Sequence, residues 1–129
     1  MYLKRKIDRY LEEWRKQEDR KPLIVKGARQ VGKTESIRRF ATRTYESVIE
    51  INFIEEPKYK TILSDGYQAA SVIRNISLID PGKRFVEGET LLFFDEIQDF
   101  PEIATALKFF AIDGRYDVIC SGSLLGISY

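Results

Sequence analysis

Leu3, Ile7, Tyr10, Leu11 and Trp14 recur at the spacing of one helix face, with charged residues between them. That pattern predicts an amphipathic helix over residues 2–17, with Trp14 as its core anchor. The polar cluster Gln17-Glu18-Asp19-Arg20-Lys21 reads as a linker. Beyond it the pattern changes period. Short apolar runs predict strands β1 at 22–26, β2 at 47–53, β3 at 90–95 and β4 at 116–121. Helical spacing returns between them. Ile37, Phe40 and Ala41 mark a helix over about 33–43. Pro57 opens a helical region with Tyr59, Ile62 and Leu63 on its face. Ala69, Val72, Ile73, Ile76 and Leu78 mark a further helix, and Pro101 suits the first turn of one ending near Asp113-Gly114. Asp80-Pro81-Gly82 reads as a turn.

Strands alternating with helices predict an α/β three-layer sandwich with a parallel sheet and right-handed crossovers. In such a sheet a ligand sits at the C-terminal ends of the strands. The polar residues that follow these strands are therefore the ones to read for chemistry.

The segment after β1 is Gly27-Ala28-Arg29-Gln30-Val31-Gly32-Lys33-Thr34, a complete G-x-x-x-x-G-K-T phosphate-binding loop between a strand and a helix. Gly27 and Gly32 let successive backbone N–H groups turn inward. The helix that follows adds its positive N-terminal end. Lys33 is the candidate for the β- and γ-phosphates, and the Thr34 hydroxyl is a candidate Mg²⁺ ligand. After β3 comes Asp95-Glu96, preceded by Leu91-Leu92-Phe93-Phe94. An apolar strand closed by two adjacent carboxylates is the Walker B pattern. Asp95 is expected to hold the metal's water shell, and Glu96 to orient and deprotonate a water. A base beside the metal ligand argues against a small-molecule kinase, which transfers to a substrate and needs no activated water. After β4, Ser121 or Ser123 lies at the same edge of the sheet.

Composition narrows the field further. The 129 residues are expected to form one domain, and 43% hydrophobic content supports a real core. The absence of histidine removes His-based acid–base catalysis, Ser-His triads and most zinc sites. A single cysteine, Cys120, cannot form an internal disulfide, which fits a reducing cytoplasm. No apolar run reaches transmembrane length. The net charge of +1 is no nucleic-acid footprint. The charge is uneven, however. Residues 1–43 carry 14 Lys and Arg against 6 Asp and Glu. A nucleotide-gated DNA- or partner-binding module is therefore the alternative to an ATPase core, against the plainer reading of a solvated charged helix face.

Four segments together resemble a large group of prokaryotic AAA-like ATPases. They are Lys26 to Thr34, Phe93-Phe94-Asp95-Glu96-Ile97-Gln98, Asp113-Gly114-Arg115-Tyr116-Asp117, and Gly122-Ser123-Leu124-Leu125-Gly126. The resemblance spans almost the whole chain, including Asn52-Phe53. It implies an ATP- and Mg²⁺-dependent P-loop core with sheet order β1-β4-β3-β2. It also implies that a polar residue closing β4, Ser121 or Ser123, senses the γ-phosphate. Members of the group continue into a fifth strand beside β1, a helical lid and a C-terminal domain described as nuclease-like. This sequence stops at Tyr129, before a fifth strand. The outer edge of β1 is accordingly expected to be unpaired and prone to self-association, with the helix at 2–17 shielding part of it. Hydrolysis is expected to be weak, because the arginine finger of the group usually comes from the later region or a neighbouring subunit. Of the arginines near the motifs, Arg29 is a candidate phosphate or partner contact, and Arg115 reads as structural.

Overall fold

The computed structural model describes residues 6–26 and 32–123. The elements in chain order are α1 (Lys6–Lys16), β1 (Leu23–Val25), α2 (Lys33–Thr44), β2 (Ser47–Asn52), a 3₁₀ turn (Pro57–Thr61), α3 (Ala69–Ile79), β3 (Thr90–Asp95), a second 3₁₀ turn (Ile97–Asp99), α4 (Ile103–Asp113) and β4 (Asp117–Ser121). The strands form one parallel sheet in the order β1-β4-β3-β2. The expected fold class and strand order are both observed.

The sheet divides the core in two because its central strands are apolar on both faces. In β3 every residue is buried. Leu92 and Phe94 join Val118 and Cys120 of β4 in the layer under α3 and α4. Leu91 and Phe93, pointing the other way, join Ile119 in the layer under α1 and α2. This is the near-continuous hydrophobic reading of a strand covered on both sides. β2 lies at one edge and is apolar mainly on the α3/α4 side, through Ile49 and Ile51.

Trp14 anchors α1, as its spacing implies. It is buried, lies 6.3 Å from the Phe40 ring, and donates from Nε1 to the Lys21 carbonyl at 2.8 Å. With Leu11 it packs in the cluster that contains Leu23, so α1 covers a face of β1. Among the described residues β1 pairs with β4 alone, which makes it an edge to which another strand can add. The helical region opened by Pro57 is a short 3₁₀ helix, Pro57–Thr61. Its Tyr59 is buried. α4 stops where Gly114 takes φ 71°, a left-handed C-cap that suits glycine.

Candidate functional site

Three strand ends and one helix start meet at the C-terminal edge of the sheet. Lys33 opens α2, and the preceding Gly32 has φ 92°, a left-handed conformation a side chain would strain. No side chain caps this helix start, so its first N–H groups carry the partial positive charge of an anion site. Gly27, Ala28, Arg29, Gln30 and Val31, the rest of the expected phosphate loop, lie outside the described residues. So do Leu124, Leu125 and Gly126.

Asp95 closes β3 with its side chain 5% exposed. The Thr34 hydroxyl donates to its Oδ2 at 3.3 Å, across 61 residues of sequence. The Glu96 N–H donates to its Oδ1 at 2.8 Å. Burial pushes the Asp95 carboxyl above its usual pKa. The Glu96 N–H and the Thr34 hydroxyl pull it down, while the charges of Glu96 and Glu50 add to the rise. Asp95 is thus a buried carboxylate close to two others, a setting in which a cation would be stabilised.

Glu96 has φ 56° and ψ 47°, and among the described residues it alone of the non-glycines has positive φ. Such strain persists where the surroundings over-determine it, often at functional sites. It swings the chain into the turn at Ile97–Asp99, which brings Gln98 back beside Glu96. Gln98 Nε2 donates to Glu96 Oε1 at 3.3 Å.

β4 supplies the remaining wall. Ser121 is fully buried and its hydroxyl has no hydrogen-bond partner among the described residues. Ser123 lies beyond the strand end, is half-buried, and donates its N–H to Gln98 Oε1 at 3.2 Å. The Lys33 ammonium donates to the Gly122 carbonyl at 3.5 Å. Gly32, Lys33, Thr34, Asp95, Glu96, Ser121 and Ser123 all line one cleft of about 470 Å³. Arg115, by contrast, sits before β4 at the other end of the sheet, where it pairs with Asp113 at 3.0 Å.

Four further residues belong to this neighbourhood. Arg38, Asn52 and Glu55 line the cleft, and Gln98 bridges two of its walls. Arg38 was legible as the residue one helical turn after Thr34, on the same face. Its guanidinium donates from Nε to both oxygens of Glu50, at 2.8 and 3.0 Å, and that pairing raises its pKa. Asn52 sits beside Asp95 in the strand register and accepts the N–H groups of Ile54 and Glu55. Gln98 closes the segment that begins at Phe93, yet nothing in the sequence assigned it a role, since its placement depends on the left-handed Glu96.

A family model described as an AAA domain matches residues 19–129. The chain belongs to this AAA family. Solved structures agree on the fold of the domain. The Walker-type ATPase PABY2304 of Pyrococcus abyssi superposes with a TM-score of 0.56 at 17% identity, covering 95% of this chain and 45% of that one. PCH-2 of C. elegans gives 0.51 at 10% identity, covering 92% and 36%. A DNA replication initiation factor gives 0.50 at 14% identity, covering 95% and 39%. This AAA domain thus spans less than half the length of each. Among curated proteins no sequence match is found. Family membership and fold together make the chain an ATPase-type nucleotide-binding module. No helix among the described residues is long and apolar enough to cross a membrane.

Proposed function

We propose that this AAA domain binds ATP with Mg²⁺ and hydrolyses it to ADP and phosphate, slowly when the domain acts alone. The observation that carries the reading is the Thr34–Asp95 contact inside a cleft that also holds Lys33, Glu96 and Ser121. One hydroxyl and one carboxylate suit Mg²⁺, which takes few protein ligands and completes its shell with water and phosphate oxygens. The carboxylates of Glu96 and Glu50 near Asp95, and the Ser121 hydroxyl without a hydrogen-bond partner among the described residues, fit a cation and a phosphate respectively. Thr34 and Asp95 would hold the metal, which when bound neutralises phosphate charge.

The protein's own groups divide the remaining work. The Lys33 ammonium and the N-terminal end of α2 supply positive charge for the β- and γ-phosphates. Glu96 takes a proton from the attacking water. Ser121 donates to a γ-phosphate oxygen, and its burial at the strand end favours it over Ser123 for that role. Among the described residues Arg38 is the arginine that lines the cleft, and it is held by Glu50. A P-loop site without an arginine finger turns over slowly, on the order of 10⁻⁴ s⁻¹.

The test is a titration of ATP with Mg²⁺ against wild type and Lys33→Ala, followed by single-turnover phosphate release in wild type and Glu96→Gln. Lys33→Ala should weaken binding strongly. Glu96→Gln should bind ATP normally and hydrolyse it about 10²- to 10⁴-fold more slowly. Equal affinity in wild type and Lys33→Ala would overturn the phosphate-loop assignment, and full activity in Glu96→Gln would remove Glu96 as the base.

A further inference from the structure

Gln98 has both ends of its side chain spent on the site. Its Oε1 accepts the Ser123 N–H at 3.2 Å, and its Nε2 donates to Glu96 Oε1 at 3.3 Å. A backbone N–H can only donate, so the amide oxygen must face Ser123. The amide nitrogen is then left for the carboxylate, and the orientation is fixed by its partners. The turn itself does not depend on this amide. It closes through backbone bonds, Asp99 N–H to the Glu96 carbonyl at 3.1 Å and Phe100 N–H to the Ile97 carbonyl at 3.0 Å.

What the amide adds is a link. The terminal torsion of a glutamate is soft, so a carboxylate needs a neighbour to set its plane. Gln98 sets that plane from the segment that follows β4. The same segment accepts the Lys33 ammonium at the Gly122 carbonyl and begins at the unpartnered Ser121 hydroxyl. Two groups with affinity for phosphate thus touch the backbone on which Gln98 is anchored.

We propose that Gln98 is a positioning residue: it orients the Glu96 carboxylate and couples that orientation to Ser121–Ser123, so that phosphate contacts by Lys33 and Ser121 are passed to the base. The proposal rests on the reading of Glu96 as the base. A structural role for Gln98 would lower nucleotide affinity and turnover together, whereas a positioning role lowers turnover alone.

The experiment uses the full chain with Gln98→Met, which keeps the volume and removes both hydrogen bonds. It adds Gln98→Glu, which can still accept the Ser123 N–H but, ionised, cannot donate to Glu96. ATP affinity with Mg²⁺ should stay within about twofold in both variants, while single-turnover hydrolysis falls on the order of 10- to 100-fold, as for other residues that orient a catalytic group. Wild-type turnover in either variant overturns the proposal. Glu96→Gln run alongside separates the two readings. If it is inactive while the Gln98 variants are fully active, only the role of Gln98 falls. If it is fully active, the base assignment falls first. A second measurement needs neither turnover nor a folded Gln98 variant. The Gln98 side-chain amide resonance, followed by ¹⁵N NMR in wild type and Glu96→Ala, should shift, and an unmoved resonance overturns the contact.

Discussion

Two aspartates close opposite ends of the same sheet, and their surroundings differ in kind. Asp117 opens β4 at the N-terminal edge. It accepts Arg20 Nε at 2.7 Å and the Tyr45 hydroxyl, with Arg15 Nε 3.9 Å away. Arg15 lies 5.3 Å over the Tyr45 ring and Arg20 5.9 Å over that of Trp14. The carboxylate is enclosed by positive charge and donors, and it ties the linker after α1 to the end of α2. Asp95 closes β3 at the other edge with one hydroxyl and one neighbouring N–H, facing Glu96 and Glu50. A carboxylate whose partners are complete holds a fold together. One whose partners fall short in charge marks a place for a ligand.

The largest effect that tests this contrast is on stability. Asp117→Ala leaves the Arg20 guanidinium and a buried phenol without their acceptor and Arg15 without its ion-pair partner, and should cost about 2 to 3 kcal/mol. Asp95→Ala removes a desolvated charge among like charges and should change stability far less, in either direction. Urea unfolding of both variants decides, and equal losses would erase the distinction.

A comparable effect should appear with ligand. ATP with Mg²⁺ at a hundredfold excess over its Kd stabilises a protein by about 2.7 kcal/mol. That increment should survive in Asp117→Ala, on whatever stability remains, and largely vanish in Asp95→Ala. Thermal melts with and without nucleotide measure it.

The smallest effect is alkaline. Burial, and then the hydrogen bond to Asp117, raise the Tyr45 phenol, and burial raises the Cys120 thiol. Both groups keep their protons in the folded state at a pH where the unfolded chain releases them, from about 8.5 for cysteine and about 10 for tyrosine. The folded chain then binds more protons, so stability must fall as pH rises through that range, by at most about 1.4 kcal/mol per pH unit for Cys120. Tyr45→Phe should flatten the decline above about pH 10, the unfolded tyrosine value, while leaving the pH slope below it unchanged. A denaturation series across pH 8 to 11 reads both, and a stability that rises with pH there would contradict the sign.

The sheet was legible because its strands are apolar on both faces, so Leu91–Phe94 and Val118–Cys120 stand out from the charged helices around them. The contact between Thr34 and Asp95 was legible because strand–loop–helix context leaves those two motifs one meeting place. The choice between Ser121 and Ser123 was not. Residues two apart at a strand end share a face, and only the point where β4 stops distinguishes them. The Asp117 cluster was equally hidden, since Arg20 and Asp117 lie 97 positions apart and the segment that contains Asp117 names no partner for it. Gln98 depended on a left-handed Glu96, a conformation that nothing in the residue type announces.

The register that pairs Leu23 with Ile119 and Val25 with Ser121 also sets an order of events. α1 and α2 pack against each other and are near in sequence, so they can meet early. β1 cannot enter the sheet until β4 exists to receive it, and closing so long a loop is a late and entropically costly step. β1 leads directly into the segment from Gly27 to Thr34. During synthesis or refolding, therefore, the helices and the β2–β3 pair can be in place while the strand that carries the phosphate loop is still unmoored. A chain in which β1 has not paired with β4 does not hold the segment from Gly27 to Thr34 at the sheet edge where Asp95 and Ser121 lie.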